Sequence, residues 1–328
     1  MESSTPSHTV FEIAFLDVGQ GDCTIASDHL SRSVIIIDCG KSTPARRYLA
    51  TLEDCGMKVK LIALTHRHLD HYCGFPDVLA HSDLSHLVSF WWCPSFSGDA
   101  QQTERCKAVL KHIYQIIQRT SRSRIASSEL STTFGNLTVE VLHPTDTGGL
   151  EVEIGMYSGN PRRDGRNDMG LVLRLTCSAG SQSYRFLIGG DVKAEGWKRI
   201  LANNGDLSAI VFRMPHHGAY FDDSCLSLSL SHVIEAVAPS YAVISVGSTN
   251  RYGHPARETI DALLRAASVH RILCTEATRS CSGCACACAG NVVVHIDDSG
   301  LSISPSSQEH AQTVASLSTP QCRRSSSS

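Results

Sequence analysis

Apolar residues along this chain fall into strand-length runs and alternations, separated by stretches with helical spacing. "FEIAFLDVGQGDCTIAS" (11–27) predicts two strands around a Gly-Gln-Gly-Asp turn, and "SVIIIDCG" (33–40) a third. "ARRYLATLEDCG" (45–56) is amphipathic and closes on a glycine, which predicts a helix. "VKLIALT" (59–65), rich in β-branched residues and leucine, predicts a buried strand, and "CGFPDVLAH" (73–81) a turn leading into a helix. "HLVSFWWCPS" (86–95) reads as a strand, "AQQTERCKAVLKHIYQIIQRT" (100–120) as a long helix and "GNLTVEVLHP" (135–144) as an alternating strand.

The polar, glycine-rich stretch 146–168 predicts a mobile loop. "MGLVLRLTC" and "QSYRFLIGGD" flank "SAGS" as a hairpin, "AEGWKRILANNG" reads as a helix, and "LSAIVFRMPHHG" as a strand ending in paired histidines. Helix "CLSLSLSHVIEAVAP", strand "YAVISVG", helix "ARETIDALLRAA", strand "RILCTEA" and a hairpin in "NVVVHIDDSGLSIS" follow. Two successive sets of paired strands and strand–helix alternations predict a layered α/β body with two sheets, not one doubly wound sheet. Residues 1–9 read as a flexible N-terminus and 10–304 as one domain. Residues 305–328, Ser-rich and without apolar periodicity, read as a disordered tail.

Composition narrows the class. Of 328 residues, 42% are hydrophobic and 19% charged, as in soluble globular proteins, and no apolar run reaches transmembrane length. "MESSTPSHT" lacks the basic and apolar regions of a secretory signal, so the sequence predicts a cytoplasmic protein without a membrane partner. A net charge of −3 announces no global field for nucleic acid. The local basic tracts "RTSRSR" (119–124) and "PRRDGR" (161–166) read first as solvated loops.

The densest chemistry is "THRHLDH" (65–71), at the carboxyl end of the predicted strand 59–65, where open α/β sheets place their sites. His66 and His68 alternate at period two and point to one side of an extended strand end. Asp70 and His71 can turn back toward the same point. Imidazole nitrogens with a carboxylate suit zinc, or manganese where oxygen ligands dominate. Three further clusters also follow apolar strands: Asp191 in "FLIGGD", His216 and His217 in "VFRMPHHG", and His254 in "VISVGSTNRYGHP". A two-ion site needs about this inventory, including a carboxylate between the ions. Asp22 and Asp38 are candidates to orient ligating imidazoles, and each could equally be an ordinary turn aspartate.

The motif order HxHxDH, GD, PHHG, YGHP, together with "FLDVGQGDCTIA" and "IIIDCG", resembles the metallo-β-lactamase superfamily. Within it, the chain is similar to the subgroup typified by the soluble domain of the DNA-uptake protein ComEC. The resemblance runs over about residues 10–300 and implies a four-layer αββα sandwich with metals along one sheet edge. It implies that His66 and His68 bind a first ion, that Asp70 and His71 bind a second, that Asp191 bridges them and that His216 completes the ligand set of the second ion, with His217 as a further ligand or a residue supporting one. His216 and His217 cannot be apportioned from sequence. The resemblance also makes Asp70 and His254 the candidate catalytic residues, with His254 contacting substrate phosphate or the leaving group. Many superfamily members carry another ligating histidine before the bridging aspartate; here that segment is "GRNDMGLVLRL", which makes Asp168 a candidate oxygen ligand and His143 in "VLHP" a fallback.

The implied cofactors are one or two Zn2+ or Mn2+ ions, whose bound water has its pKa lowered to ~7. The implied activity is a metal-dependent phosphodiesterase or nuclease acting on single-stranded DNA or a nucleotide. A lactone, thioester or amide hydrolase of the same fold, and a non-catalytic metal-binding module, are the alternatives. Protein partners are not legible. A separate cluster, Cys281, Cys284, Cys286 and Cys288, has the makings of a structural zinc site, with a redox disulfide or a plain loop as the other readings.

Overall fold

The computed structural model describes residues 10–93, 103–119, 122–145, 165–281 and 286–322. Numbered in chain order, its strands begin with β1 (Phe11–Phe15), β2 (Thr24–Asp28), β3 (Ser33–Ile37), β4 (Lys58–Leu64), β5 (Ser89–Trp92) and β6 (Ser123–Ile125). Then come β7 (Ser131–Phe134), β8 (Leu137–His143), β9 (Val172–Ala179), β10 (Gln182–Ile188), β11 (Val211–Arg213), β12 (Asp222–Asp223) and β13 (Leu228–Ser229). The series ends with β14 (Tyr241–Ile244), β15 (Arg271–Cys274), β16 (Glu276–Ala277), β17 (Cys286–Ala287), β18 (Val292–Asp297) and β19 (Gly300–Ser304). Eight of them form one sheet in the order β19-β18-β1-β2-β3-β4-β5-β6, and seven form a second in the order β15-β14-β11-β10-β9-β8-β7.

The alternation of side chains shows how the sheets are layered. Along β10, Phe186 and Ile188 enter the cluster shared with the first sheet, while Leu187 between them packs with Trp197 and Ile200. Val211 against Phe212, Val243 against Ala242, and Leu273 against Ile272 divide the same way. A period of two thus sends one face of the second sheet to the central core and the other to helices Ala194–Asn203, Leu230–Val237 and Arg257–Arg265. On the first sheet, Leu49, Val78, Ile113 and Ile117 bring helices Ser42–Asp54, Phe75–His81 and Glu104–Gln118 against the strands. The result is helix, sheet, sheet, helix: the αββα sandwich of the metallo-β-lactamase fold.

Several local expectations change. Ser123–Ile125, read as a solvated loop, is an edge strand pairing in parallel with β5. Helix Leu230–Val237 begins later than its apolar pattern suggests, because Leu228–Ser229 pairs with Asp222–Asp223. Residues 146–164 of the expected loop lie outside the described residues, and Gly165–Asp168 forms a short helix. Ser307–Ser316, expected to be disordered, is a helix. Ser306 and Glu309 cap its first turn reciprocally, and His310 and Val314 are buried. The final residues 323–328 lie outside the described residues. No helix among the described residues is long and apolar enough to cross a membrane.

Candidate metal centre

Strand β4 runs into the chemistry directly. Thr65 and His66 are fully buried at its end, and His68 precedes a helical turn, Leu69–Tyr72, that carries Asp70 and His71. Two glycine-containing loops press on that turn. Gly21 and Gly40 each face the Asp70 carbonyl so closely that a Cβ at either would collide with it. Hydrogen bonds from Asp22 N to Asp70 O (3.1 Å) and from Cys39 N to His71 O (2.7 Å) hold the turn in place.

Opposite, the second sheet delivers Asp191 after β10 and the "PHHG" turn after β11. Gly190 takes φ +53 beneath Asp191 and lies against the Leu171 carbonyl, a place where a side chain has no room. His216 and His217 both hold left-handed backbone, at φ 51 and φ 54. Such strain in non-glycine residues persists where the surroundings over-determine it, and it concentrates at functional sites.

The side chains converge in two groups whose ligand atoms lie within 4.8 Å of one another: His66, His68 and Asp191; and Asp22, His71, Asp191 and His217. Asp191 belongs to both. Its Oδ2 is 3.3 Å from His66 Nε2 and 3.7 Å from His217 Nε2, and its Oδ1 is 3.4 Å from His71 Nε2. His66 Nε2 lies 3.0 Å from His68 Nδ1.

The proton positions of two imidazoles follow from their neighbours. His217 Nδ1 faces the Ser245 carbonyl at 2.9 Å, which can only accept, so Nδ1 carries the hydrogen. His71 Nδ1 faces Asp38 Oδ2 at 2.7 Å and donates likewise. Their Nε2 atoms are then left toward the carboxylates of Asp70, Asp191 and Asp22, which cannot donate when ionised. Nε2 of both histidines and Oδ1 of Asp191 are buried with no hydrogen-bond partner. Lone pairs of nitrogen and oxygen converging in a buried space fit a divalent cation. The cluster is able to hold one or two metal ions.

Electrostatics agree with that fit. Burial alone would raise the Asp191 carboxyl, but His217, His71 and His66 hold it well below the usual carboxylate range. Burial would depress His71, yet Asp191 and Asp38 outweigh it and push the imidazole well above its ordinary value. The site therefore concentrates negative charge that a proton on His71 neutralises, and an ion binding there displaces that proton. Asp70 is also held low: burial opposes ionisation, and the neighbouring imidazoles of His217 and His71 outweigh it.

Asp38 is placed as an orienting group. Besides His71 it accepts from Thr65 N (2.8 Å) and Thr65 Oγ1 (2.6 Å), and its own φ is 58. Asp22 stands among the ligands of the second group. Its carboxylate stands 3.5 Å from His71 Nε2, within the second group, but it is also tied to the fully buried guanidinium of Arg213. Asp70, 3.3 Å from His217 Nε2 and 31% exposed, lies beside the cluster but in neither ligand group.

The sequence left His216 and His217 undivided and the resemblance assigned the ligand to His216. The structure places His217 in the cluster and His216 at its rim, 3.9 Å from Asp191. Asp168 lines a neighbouring cavity that His216 also lines and is in neither ligand group, and Asn167 faces the cleft. His143 is buried away from the cluster, its Nε2 donating to the Asp168 carbonyl at 2.7 Å. His254 reaches the cleft on a loop closed by Asn250, its ring 5.5 Å from that of His216. Of the cysteine set, Cys284 and the side chain of Cys286 lie outside the described residues, while Cys281 and Cys288 are described.

Sequence reasoning missed Arg213, Thr65 and Lys193. An arginine inside the apolar run "AIVFRMP" was a legible signal, since a buried charge requires a partner. Lys193 lines the cleft but sits two residues past the aspartate in an ordinary polar context.

A family model for the metallo-beta-lactamase superfamily matches residues 16–90, the stretch that carries the first loop, Asp38 and the whole histidine motif. That stretch is similar to the metallo-beta-lactamase superfamily. That superfamily consists mostly of hydrolases, which supports a hydrolase here. Among curated proteins, ComE operon protein 3 of Bacillus subtilis (strain 168) is 23% identical over 271 residues, covering 77% of this chain; the chain spans 30% of that protein's length. Among solved structures, the metallo-beta-lactamase fold protein YhfI from Bacillus subtilis matches with TM-score 0.45 and 11% identity, over 77% of this chain and 92% of its own. MEM-A1, a subclass B3 metallo-beta-lactamase from a soil metagenome, matches with TM-score 0.40 and 15% identity, over 65% and 80%.

Proposed function

We propose that this chain is a metal-dependent phosphodiesterase of the metallo-beta-lactamase superfamily, with a nucleic acid strand or nucleotide as substrate. The observation that carries the reading is the layout of the cleft. Asp191 lies between two groups of ligands at the floor of a space of about 580 Å³, and Lys193, His216 and His254 stand along its wall. That volume suits a nucleotide-sized ligand. His66, His68, Asp70, His71, Asp191 and His217 would hold the ions, zinc or manganese, with Asp38 fixing His71. The ions, when bound, would supply an activated water and a clamp on the phosphoryl oxygens.

The chain's own groups account for the rest. Lys193 offers a fixed positive charge to a non-bridging phosphate oxygen. His254 is partly exposed beyond His216, where a leaving alkoxide needs a proton, and an imidazole is the side chain suited to give one near neutral pH. Burial lowers the His254 imidazole from its ordinary value. The similarity to the ComEC-like subgroup also supports a phosphodiester.

The test compares leaving groups. Replacing His254 by Ala should slow cleavage of a labelled oligonucleotide by about 10²- to 10⁴-fold, the usual size of general-acid catalysis. Cleavage of bis-p-nitrophenyl phosphate, whose leaving group needs no proton, should fall far less. Wild type that cleaves neither ester while hydrolysing a lactone, thioester or amide contradicts the proposal.

A further inference from the structure

A second cavity, of about 740 Å³, adjoins the metal cleft and shares its wall. His216 and Lys193 line both spaces, and the short helix Gly165–Asp168 ends with Asn167 on the cleft and Asp168 on the cavity. The far side is built by the chain that follows the "PHHG" turn. Tyr220 and Phe221 lead into the small hairpin of β12 and β13. Leu230 N donates to the Phe221 carbonyl at 3.0 Å, and Leu226 N to Asp223 Oδ1 at 3.1 Å, which fixes that segment. A group held at the Asp191 cluster therefore has this cavity beside it, with His216 and Lys193 between the two.

Its lining combines aromatic rings with carboxylates. Tyr220 and Phe221 are half-buried, packed against the second core while also lining the cavity. Rings held from behind in this way make a rigid stacking surface. Asp168, Glu195, Asp222 and Asp223 bring four carboxylates, and Lys193 is the one lysine or arginine of the lining among the described residues. None of the four carboxylates belongs to either ligand group, so the cavity is not an extension of the ion site.

Carboxylates at a rim are ordinary solvated surface, and the exposed Asp222 alone would carry no argument. Asp168 differs from it, being 6% exposed while lining the cavity. An ionised carboxylate only accepts hydrogen bonds, at about four positions, so one partner does not exhaust it. Glu195 keeps that capacity beside Arg199 at 3.4 Å, and Asp223 keeps it beside the Leu226 N–H. A flat apolar ring whose edge donates hydrogen bonds fits such a lining. A further phosphate does not, because the carboxylates repel it.

We propose that this cavity is the subsite for a terminal nucleoside of the substrate, an inference that rests on the phosphodiesterase reading of the cleft. The base stacks against Tyr220 and Phe221, and its N–H groups and the free sugar hydroxyl donate to the carboxylates. The attached phosphate passes Lys193 and His216 to reach the Asp191 cluster. Guanine, with ring and amino N–H donors side by side, suits this lining better than thymine, whose lone N–H lies between two carbonyls. The nucleoside is a terminal one because a continuing strand would bring its next phosphate among the carboxylates.

The test is calorimetric titration of the full chain, supplied with Mn2+, by inorganic phosphate, thymidine 5′-monophosphate, deoxyguanosine 5′-monophosphate and deoxyguanosine 3′,5′-bisphosphate. Deoxyguanosine monophosphate should bind about tenfold more tightly than phosphate, the worth of one stacked base, and more tightly than thymidine monophosphate. The bisphosphate should bind more weakly than the monophosphate. Phe221→Ala should remove about tenfold from the deoxyguanosine monophosphate affinity and leave that for phosphate unchanged. Wild type that binds deoxyguanosine monophosphate no better than phosphate overturns the subsite, whether or not the variant folds. Full nucleotide affinity in Phe221→Ala overturns its placement in this cavity, and tighter binding of the bisphosphate overturns the terminal assignment. Turnover of methyl p-nitrophenyl phosphate, which carries no nucleoside, is followed in parallel. Its absence would count against the phosphodiesterase reading, while the titrations still decide the subsite.

Discussion

At Asp191 one carboxylate faces three imidazoles, and its two oxygens are divided between them, Oδ2 toward His66 and His217 and Oδ1 toward His71. A single residue thereby couples both ligand groups, whereas Asp38 acts on only one ligand, through the His71 Nδ1 hydrogen. Removing an orienting partner of this kind costs about 10- to 100-fold in metal affinity or activity. Asp38→Asn should accordingly weaken metal binding by that factor in a calorimetric titration while leaving the far-ultraviolet spectrum unchanged; unaltered affinity would remove Asp38 from the site. His143 gives a prediction about pH. Burial depresses its imidazole from 6.5 to about 4, so the fold favours the neutral ring. The unfolded chain takes up the proton first, and the stability this group contributes is complete above pH 6.5 and lost as pH falls toward about 4. At roughly 1.4 kcal/mol per pKa unit, the loss is on the order of 3 kcal/mol. Denaturant melts across that window should show a flatter acid limb in His143→Gln than in wild type. Parallel limbs would contradict the assignment.

At the scale of elements, the site is a matter of loops forced close by glycine. Gly40 faces the carbonyl of Asp70, inside the turn that presents both Asp70 and His71. Gly40→Ala should displace that turn, lowering the melting temperature and weakening metal binding together; a variant with wild-type affinity would show that the turn can yield without moving its ligands. The elements themselves were legible to different degrees. Buried strands such as β3 and β4 announce themselves as β-branched runs, and HxHxDH reads as a ligand set because its spacing matches a strand end. The choice between His216 and His217 was not legible, because it depends on two left-handed residues and on the Ser245 carbonyl 28 positions away. Helix Ser307–Ser316 was hidden for a similar reason. Its mean pattern is polar and serine-rich, and it is held by a cap and by contacts with distant cysteines. β7, with the weak alternation "STTF", gave no apolar signal at all.

At the scale of the molecule, both sheets contribute to one cleft. β4 and the loops around Asp22 and Asp38 bring the first half, and β10, β11 and the loop after β14 bring the second, so the central core sets the distance between them. Arg67, in the chain between His66 and His68, extends instead into a groove of about 470 Å³ with Trp92, Lys111, Tyr114 and Arg124. Tyr114 is 49% exposed there, and three cations beside two aromatic rings are what a nucleic acid strand requires of a binding surface. On the proposed function, Tyr114→Ala should weaken single-stranded DNA binding by about tenfold, as the loss of one stacked base does, and leave bis-p-nitrophenyl phosphate turnover intact. Equal binding by the two proteins would detach the groove from the reaction. The central claim, that the Asp191 cluster holds metal ions which make this chain a phosphodiesterase, is met most directly by one reconstitution. Metal-stripped wild type and Asp191→Ala would be titrated with Mn2+ or Zn2+ while cleavage of labelled single-stranded DNA and bis-p-nitrophenyl phosphate is followed. The account predicts that activity in the wild type rises with the added ion and saturates as the site fills, and that the variant stays at background. Cleavage that persists without metal, or survives in Asp191→Ala, would contradict it.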